Sequence, residues 1–453
     1  MTLSLPFWRR QSDALALPST RADILRGPAD VAIDDGRIKL RSDARDLADA
    51  VPRARRPTIM AFAPNAWQGP RMNRQHILSR LAERGWPVHY STGALSVWDR
   101  FSSRWEQAGW LRGADVIEGV HVDRSSRWMP RWPTHRTWDR LAIRDHVRWL
   151  KSTLDDAASP LIAYVFHPSF WPYVEQLRPR FVVFHAYDAF DLTPDWNEEL
   201  ALDQARLARR ADLCVASFSR MALSFPDDVR STVRELPNGA DVELFTAADG
   251  CACPDDLAAI PHPRIVYAGA INRKLDFEMV ADLARARPDW HWVFIGRVQL
   301  DDDAESLQDW QSCIALPNVH HLDGKDAKEL PAYLHHADVN VMCYRIDGNG
   351  WWLRGSPLKL HEQLAVGRPV VGAALDAVRP FAHVLDAVRT HEEWMAAIER
   401  ALSSGGVGTP AERRAVALKN SWDRRIDLLE RWIFEMIESD RTAGTPVARL
   451  ADR

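Results

Sequence analysis

The stretch Pro263–Val298, "PRIVYAGAINRKLDFEMVADLARARPDWHWVFIGRV", decides how the rest of the chain is read. An apolar run rich in β-branched residues ends at a Gly-Ala turn, "LDFEMVADLARARPD" suits a helix, and "WHWVFIGRV" suits a second strand. The same rhythm continues through "NVHHLDG", helical "AKELPAYLHHA", strand "DVNVMCY", the helix of "SPLKLHEQLAVGRPVV" (Ser356–Val371) and strand "PVVGAA". It also runs upstream, through "PTIMAFAP", "WPVHYST", "SPLIAYVFHP", "RFVVFHAYDAF" and "LCVASFS". Strands alternating with helices predict an α/β protein of two doubly wound, parallel-sheet halves. The expected divisions are a polar N-terminal extension (1–56), a first half (57–245) with a Trp/Arg-rich insertion at 97–150, a second half (246–420), and a C-terminal helix and tail (421–453). That last helix should lie on one of the sheets or across their junction.

The 453 residues carry a net charge of −4, so no electrostatic footprint for nucleic acid is present. Five scattered cysteines suit reduced structural thiols, and "CAC" at 251–253 is poor spacing for zinc. Apolar runs are too short to span a bilayer and the N-terminus does not read as a signal peptide, so a cytoplasmic setting is expected, with association at the inner membrane face left open. Tryptophan is the oddity: 20 Trp stand against 7 Tyr, and seven Trp interleave with ten Arg between Trp98 and Trp149. That mixture suits peripheral membrane contact or a sugar-binding wall, and equally a helical subdomain with Trp in its core.

In open parallel sheets ligands bind beyond the C-terminal strand ends, and two facing sheets make a cleft. Gly269 would let backbone approach a ligand, with Arg273 and Lys274 as cations for a diphosphate; Gly296 and Arg297 repeat the idea more weakly. In "SPLKLHEQLAVGRPVV", Ser356 suits an N-cap, Pro357 the first helical position and Gly367 the helix end. Lys359, Glu362, Gln363 and Val366 share one face, so Lys359 could meet a phosphate and Glu362 two ribose hydroxyls. Each site also has a plainer reading, as a glycine turn with surface cations or an amphipathic surface helix.

These segments together resemble the GT-B glycosyltransferases, with two facing Rossmann-like domains. "SPLKLHEQLAVGRPVV" resembles their donor-site helix, (P)xKxxEYLAxGxPVV; "LPNGADVELF" (236–245) is similar to their PNGVDxxxF junction, and "NSWDRR" (420–425) to their HSWDxR ending. The resemblance covers about 233–440 well and the first half loosely, and it is nearest to bacterial enzymes of polysaccharide biosynthesis. It implies a UDP- or GDP-sugar substrate, no other cofactor and no metal, with a lipid-linked or oligosaccharide acceptor. It places Gly269, Arg273, Lys274, Ser356, Pro357, Leu358 and Lys359 at the diphosphate, Glu362 at the ribose, and Gly296 with the 319–325 loop near the base. Many retaining relatives carry a second Glu eight residues before the ribose-binding one, where this chain has Arg354. That departure puts retention in doubt and suggests a pairing of Arg354 with a uronic acid carboxylate.

For an inverting transfer, Asp188 in "FVVFHAYDAFD" is the candidate base, because it follows a strand end and loosely resembles the base of a GT-B glucuronosyltransferase family of xanthan assembly. His185 and His167 are runners-up at comparable strand ends, and all three also read as packed or capping residues. Trp67, Gly69 and Arg71 follow the first strand and are candidates for acceptor or phosphate contact, and "DDD" at 301–303 reads as a solvated loop. The competing functions are a non-catalytic nucleotide-sugar-binding scaffold and a nucleotide-sugar epimerase of the same fold.

Overall fold

The computed structural model describes residues 31–34, 37–40, 56–69, 71–154, 159–301, 303–348 and 350–443, the first two ranges as backbone. Within the expected extension, β1 (Val31–Asp34) and β2 (Arg37–Leu40) pair antiparallel. The remainder of that expected segment, apart from Arg56, lies outside the described residues.

The first large sheet contains β3 (Thr58–Phe62), β4 (Val88–Ser91), β5 (Gly113–Ile117), β6 (Val120–Arg124), β7 (Leu161–Val165), β8 (Phe181–Ala186), β9 (Leu213–Ala216) and β10 (Arg234–Glu235). Its order is β10-β9-β8-β7-β3-β4-β6-β5. Alternate residues of β3 serve opposite cores, Ile59 and Ala61 on one face, Met60 and Phe62 on the other, as a strand repeat of two requires. Helix α1 (Asn73–Glu83) covers the first face. Helices α2 (Arg136–Ser152), α3 (Trp171–Leu177) and α4 (Glu198–Arg210) cover the second.

One expectation of an all-parallel half is corrected. The 97–150 insertion adds β5, antiparallel to β6, through a tight turn at Glu118 and Gly119 with φ of 51° and 77°. Two consecutive left-handed residues match the twist of a two-residue hairpin. Five of the seven Trp of the insertion are exposed, while Trp105 and Trp149 are half-buried, Trp149 against the core of the second face, so the Trp-core reading holds for a minority of them.

The second sheet contains β11 (Arg264–Ala268), β12 (His291–Ile295), β13 (Val319–Leu322), β14 (Val339–Met342), β15 (Val370–Ala373) and β16 (Asp386–Val388). Every pairing is parallel, in the order β13-β12-β11-β14-β15-β16. Helices α5 (Phe277–Ala286), α6 (Ala304–Ile314), α7 (Leu330–His335), α8 (Lys359–Val366), α9 (His391–Ser404) and α10 (Pro410–Lys419) flank it. Asp301 and Asp303 lie in a loop as expected, and Asp303 also caps α6 by accepting from the Ser306 amide at 3.0 Å; Asp302 lies outside the described residues. Among the described residues, no helix is long and apolar enough to cross a membrane.

The last helix, α11 (Trp422–Ala443), returns to the first sheet. Trp422, Ile426, Leu429, Ile433 and Ile437 complete the core under α1, and Trp422 stacks on His76 with centroids 4.9 Å apart. Arg84 donates to Asp427 at 2.9 Å and to Glu430 at 2.6 Å. The two junction motifs meet directly: Ala240 and Asn420–Trp422 exchange backbone hydrogen bonds of 3.1 and 3.0 Å. A Cβ on Gly239 would lie 2.8 Å from the Trp422 nitrogen, so this crossing requires glycine.

Candidate functional site

Among the parallel strands of each sheet the order reverses once, between β3 and β7 in the first and between β11 and β14 in the second. Loops leaving strands on either side of such a point diverge and leave a crevice. The candidate site is built from the loops and helix starts at these two crevices.

In the second sheet, β11 ends at Gly269 (φ 139°) and β12 at Gly296 (φ 155°). A Cβ on Gly296 would fall 2.1 Å from the Gly269 carbonyl oxygen, and one on Gly269 would fall 2.3 Å from Lys359 Nζ. Paired glycines therefore let the two strand ends touch and let Lys359 lie across the turn. Its Nζ donates to the Tyr267 hydroxyl at 2.9 Å and sits 5.7 Å from the Tyr344 ring centre. Lys274 Nζ lies 5.4 Å from the same Tyr344 ring, and the Arg273 guanidinium stacks 4.9 Å from Trp351. His321 Nε2 donates to the Gly296 carbonyl at 2.8 Å, which brings the 319–325 loop to this strand end.

Helix α8 starts later than expected. Lys359 is its first residue and Leu358 its cap position, while Ser356 and Pro357 precede it and no side chain caps it. The reason is tertiary: the Ser356 carbonyl accepts from Asn238 Nδ2 at 2.6 Å, and Pro357 O closes a tight first turn with the Leu360 amide at 3.3 Å. Leu358 packs against the core of the first sheet. Nor is α8 a surface helix, since Gln363 is buried with its amide on Val341 O at 3.1 Å. Gly367 ends it as expected, in the left-handed conformation with φ 83°.

Burial shapes the charges here. It holds Lys359 well below the usual lysine range, aided by repulsion from Lys274 and opposed by Glu362. It brings Lys274 down to about 8, against attraction from Asp188 of the other sheet. It raises Glu362 to about 7, with Lys359 opposing and Asp241 reinforcing. Two lysines thus face one another with their charged forms disfavoured, an arrangement that an anion between them would relieve.

The first sheet supplies the facing wall. Asp188 lies two residues beyond β8, and burial raises it to about 6, opposed by the Ala189 amide, Lys274 and Arg74. Arg74, in the first turn of α1, is buried with its guanidinium 5.4 Å from the Tyr187 ring. Its Nε and Nη1 find no partner among the described residues. Arg354, instead of standing free, reaches across to Asp191, with Nη1 2.9 Å from Oδ2.

Other candidates are placed away from this centre. His185 is fully buried, with Nδ1 2.9 Å from the Tyr164 hydroxyl and Nε2 3.5 Å from Ser217 Oγ. Burial lowers it to about 3, so the reading of His185 as a base is corrected to a core residue. His167 caps the short helix Pro168–Phe170, accepting from the Ser169 amide at 3.2 Å, and burial lowers it to about 4. Trp67 is buried edge-on to Tyr90, and Arg71 is held by Glu118 at 2.6 Å and Ser79 at 2.8 Å, so neither is a free contact group. Gly69 has φ 117° and open space where a Cβ would lie. The sequence reading missed Tyr267, Tyr344, Arg74, Asp191 and Asn238. Tyr267 and Tyr344 stand at strand ends beside the switch point and were open to the argument that singled out Gly269; Asp191 and Asn238 depend on contacts with the second half, and Arg74 on packing against Tyr187 within the first.

Two facing Rossmann-like sheets with a cleft between their strand exits define the GT-B fold. Residues 262–404 match the family model described as "Glycosyl transferases group 1". The Bacillus subtilis protein named "Putative teichuronic acid biosynthesis glycosyltransferase TuaH" is 30% identical over 230 residues. That match covers 49% of this chain and 56% of the relative, so the chain spans little more than half of that protein's length. Among solved structures, Anabaena HepE in complex with UDP and glucose superposes with a TM-score of 0.59 at 14% identity, covering 83% of this chain and 99% of that one. The trehalose 6-phosphate synthase of Burkholderia multivorans gives 0.58 at 12% identity, covering 88% and 99%. The sucrose-phosphate synthase of Thermosynechococcus elongatus gives 0.57 at 15% identity, covering 85% and 100%. At these identities the superpositions establish the fold.

Proposed function

We propose that the chain is a glycosyltransferase that moves a sugar from a UDP-sugar to a lipid-linked or polysaccharide acceptor. The observation that carries this reading is the opposition of Asp188 and Lys274, from different sheets, close enough to act on each other electrostatically. Lys274, Lys359 and Arg273 take the donor diphosphate, and Glu362 accepts hydrogen bonds from the ribose. Asp188 accepts the proton of the acceptor hydroxyl as its oxygen attacks the anomeric carbon. The new carbon–oxygen bond forms on the face opposite the breaking bond to phosphate, so the product is inverted. The nucleoside diphosphate leaves with the bonding pair, and the lysine ammonium groups stabilise its charge, so this reading assigns no step to a metal.

The match to the glycosyltransferase group 1 family model and the UDP bound in the HepE structure support a UDP-sugar donor. The name of TuaH supports a polysaccharide product; Arg354 could meet a carboxylate on the donor sugar only by giving up its pairing with Asp191. The test is a screen of nucleotide sugars, with and without saccharide acceptors, that follows UDP release and the anomeric configuration of the product. Acceptor-dependent UDP release with inversion is expected. A product that retains the donor's configuration would remove Asp188 from the role of base. Isomerised donor without transfer would replace the whole reading with an epimerase.

A further inference from the structure

Of the twelve exposed large hydrophobic residues among those described, nine lie between Trp98 and Leu141. They include five tryptophans, Trp98, Trp110, Trp128, Trp132 and Trp138, each between 38% and 69% exposed. Isolated exposed apolar groups are ordinary, but this many indoles in one segment is not. The backbone gathers them. Val97 donates to Arg131 O at 2.8 Å, which joins the backbone next to Trp98 to that next to Trp132, and Arg127 donates to Gly109 O at 2.8 Å, which does the same for the segments carrying Trp110 and Trp128. Trp138 Nε1 donates to Pro130 O at 2.8 Å, with its ring left in solvent.

The charges around these rings are unequal. Arg100, Arg136 and Arg140 are exposed, as is Arg124, which pairs with Asp115 at 3.5 Å. Several nearby carboxylates are already engaged: Asp139 by Arg131, Asp145 by Arg112, Asp123 by His146 and Glu118 by Arg71. Indoles with a surplus of guanidinium groups match the headgroup layer of a bilayer, where an amphipathic ring and a cation are both accommodated.

We infer that residues 95–141 form a docking face for an anionic bilayer. Its position gives that face a purpose. The segment follows β4 and flanks the exit of β6, and these strands run parallel to β3, so it lies on the sheet edge that also carries the cleft loops. Docking there brings the acceptor lip of the cleft to the membrane surface, where a lipid-linked saccharide would be presented. The binding step itself does not depend on glycosyl transfer.

The experiment is flotation of the full chain with vesicles of neutral phosphatidylcholine, alone or mixed with phosphatidylglycerol, at low and high salt. Binding to the mixed vesicles is expected, weakened by about tenfold or more between 0.05 and 0.5 M salt as surface charge is screened. Trp98→Ser/Trp132→Ser should lose most of the binding while thermal stabilisation by UDP, measured in parallel, stays unchanged. No binding to either vesicle would overturn the inference, as would binding that survives this change. Self-association that the same substitutions abolish, without vesicle binding, would assign the face to a second copy of the chain. UDP stabilisation that disappears from the unmodified chain would instead count against the donor site.

Discussion

The two sheets are built alike and make their halves of the cleft differently. The second sheet draws its half from short contiguous pieces: the β11 exit with Gly269 to Lys274, the β12 exit with Gly296, and α8 with Lys359 and Glu362. Its core comes from residues 240–417. The first sheet joins Asp188 and Asp191 of the β8 exit to Arg74 of α1, more than a hundred residues earlier, and needs α11, from the far end of the chain, to close one of its two faces. Binding chemistry held by local geometry can be read as motifs, whereas chemistry held between distant segments cannot.

The largest expected effect breaks the two halves apart functionally. Asp188→Asn should lower turnover by about a thousandfold while UDP affinity, measured by calorimetry, changes less than about twofold. An equal loss of UDP affinity would place Asp188 in the donor half and sink the division. Next comes stability: Trp422→Ala empties a buried site under the first sheet and should cost about 3–5 kcal/mol in denaturant unfolding. Should the first sheet unfold in a separate, earlier transition, its dependence on α11 would be seen directly.

Glu362→Ala should weaken UDP binding by about 2 kcal/mol, roughly thirtyfold, since a charged acceptor is lost. Unchanged affinity would remove the ribose from this carboxylate. The same site predicts a pH optimum for UDP binding. Glu362, raised to about 7, accepts best when ionised, so affinity should fall as pH drops below that value. Lys274, lowered to about 8, pairs with phosphate when protonated, so affinity should fall again as pH rises above it. Glu362→Gln should erase the acidic limb and Lys274→Gln the alkaline one, and a flat profile in the unmodified protein would refute both assignments. The smallest effect is at the bridge between halves: Arg354→Gln breaks a half-buried pair and should cost about 1 kcal/mol or less of stability. It should also lower any preference for UDP-glucuronate over UDP-glucose, and a preference left intact would free Arg354 from the donor sugar.

The sequence by itself determined the two sheets of mainly parallel strands, the glycines at the β11 and β12 exits and the end of α8. Alternating apolar runs, glycine at strand exits and a left-handed glycine cap are local requirements that local residues must meet. Its reading erred where partners are remote. The start of α8 moved because Asn238 takes the Ser356 carbonyl, and His185 became a core residue because Tyr164 and Ser217 enclose it. Only tertiary structure decided that Asp188 faces Lys274, that Arg74 lies beneath Tyr187, that Arg354 is held by Asp191, and that the Trp-rich segment keeps five of its seven indoles exposed. Charge and burial at those positions come from neighbours far along the chain, and periodicity carries no information about them.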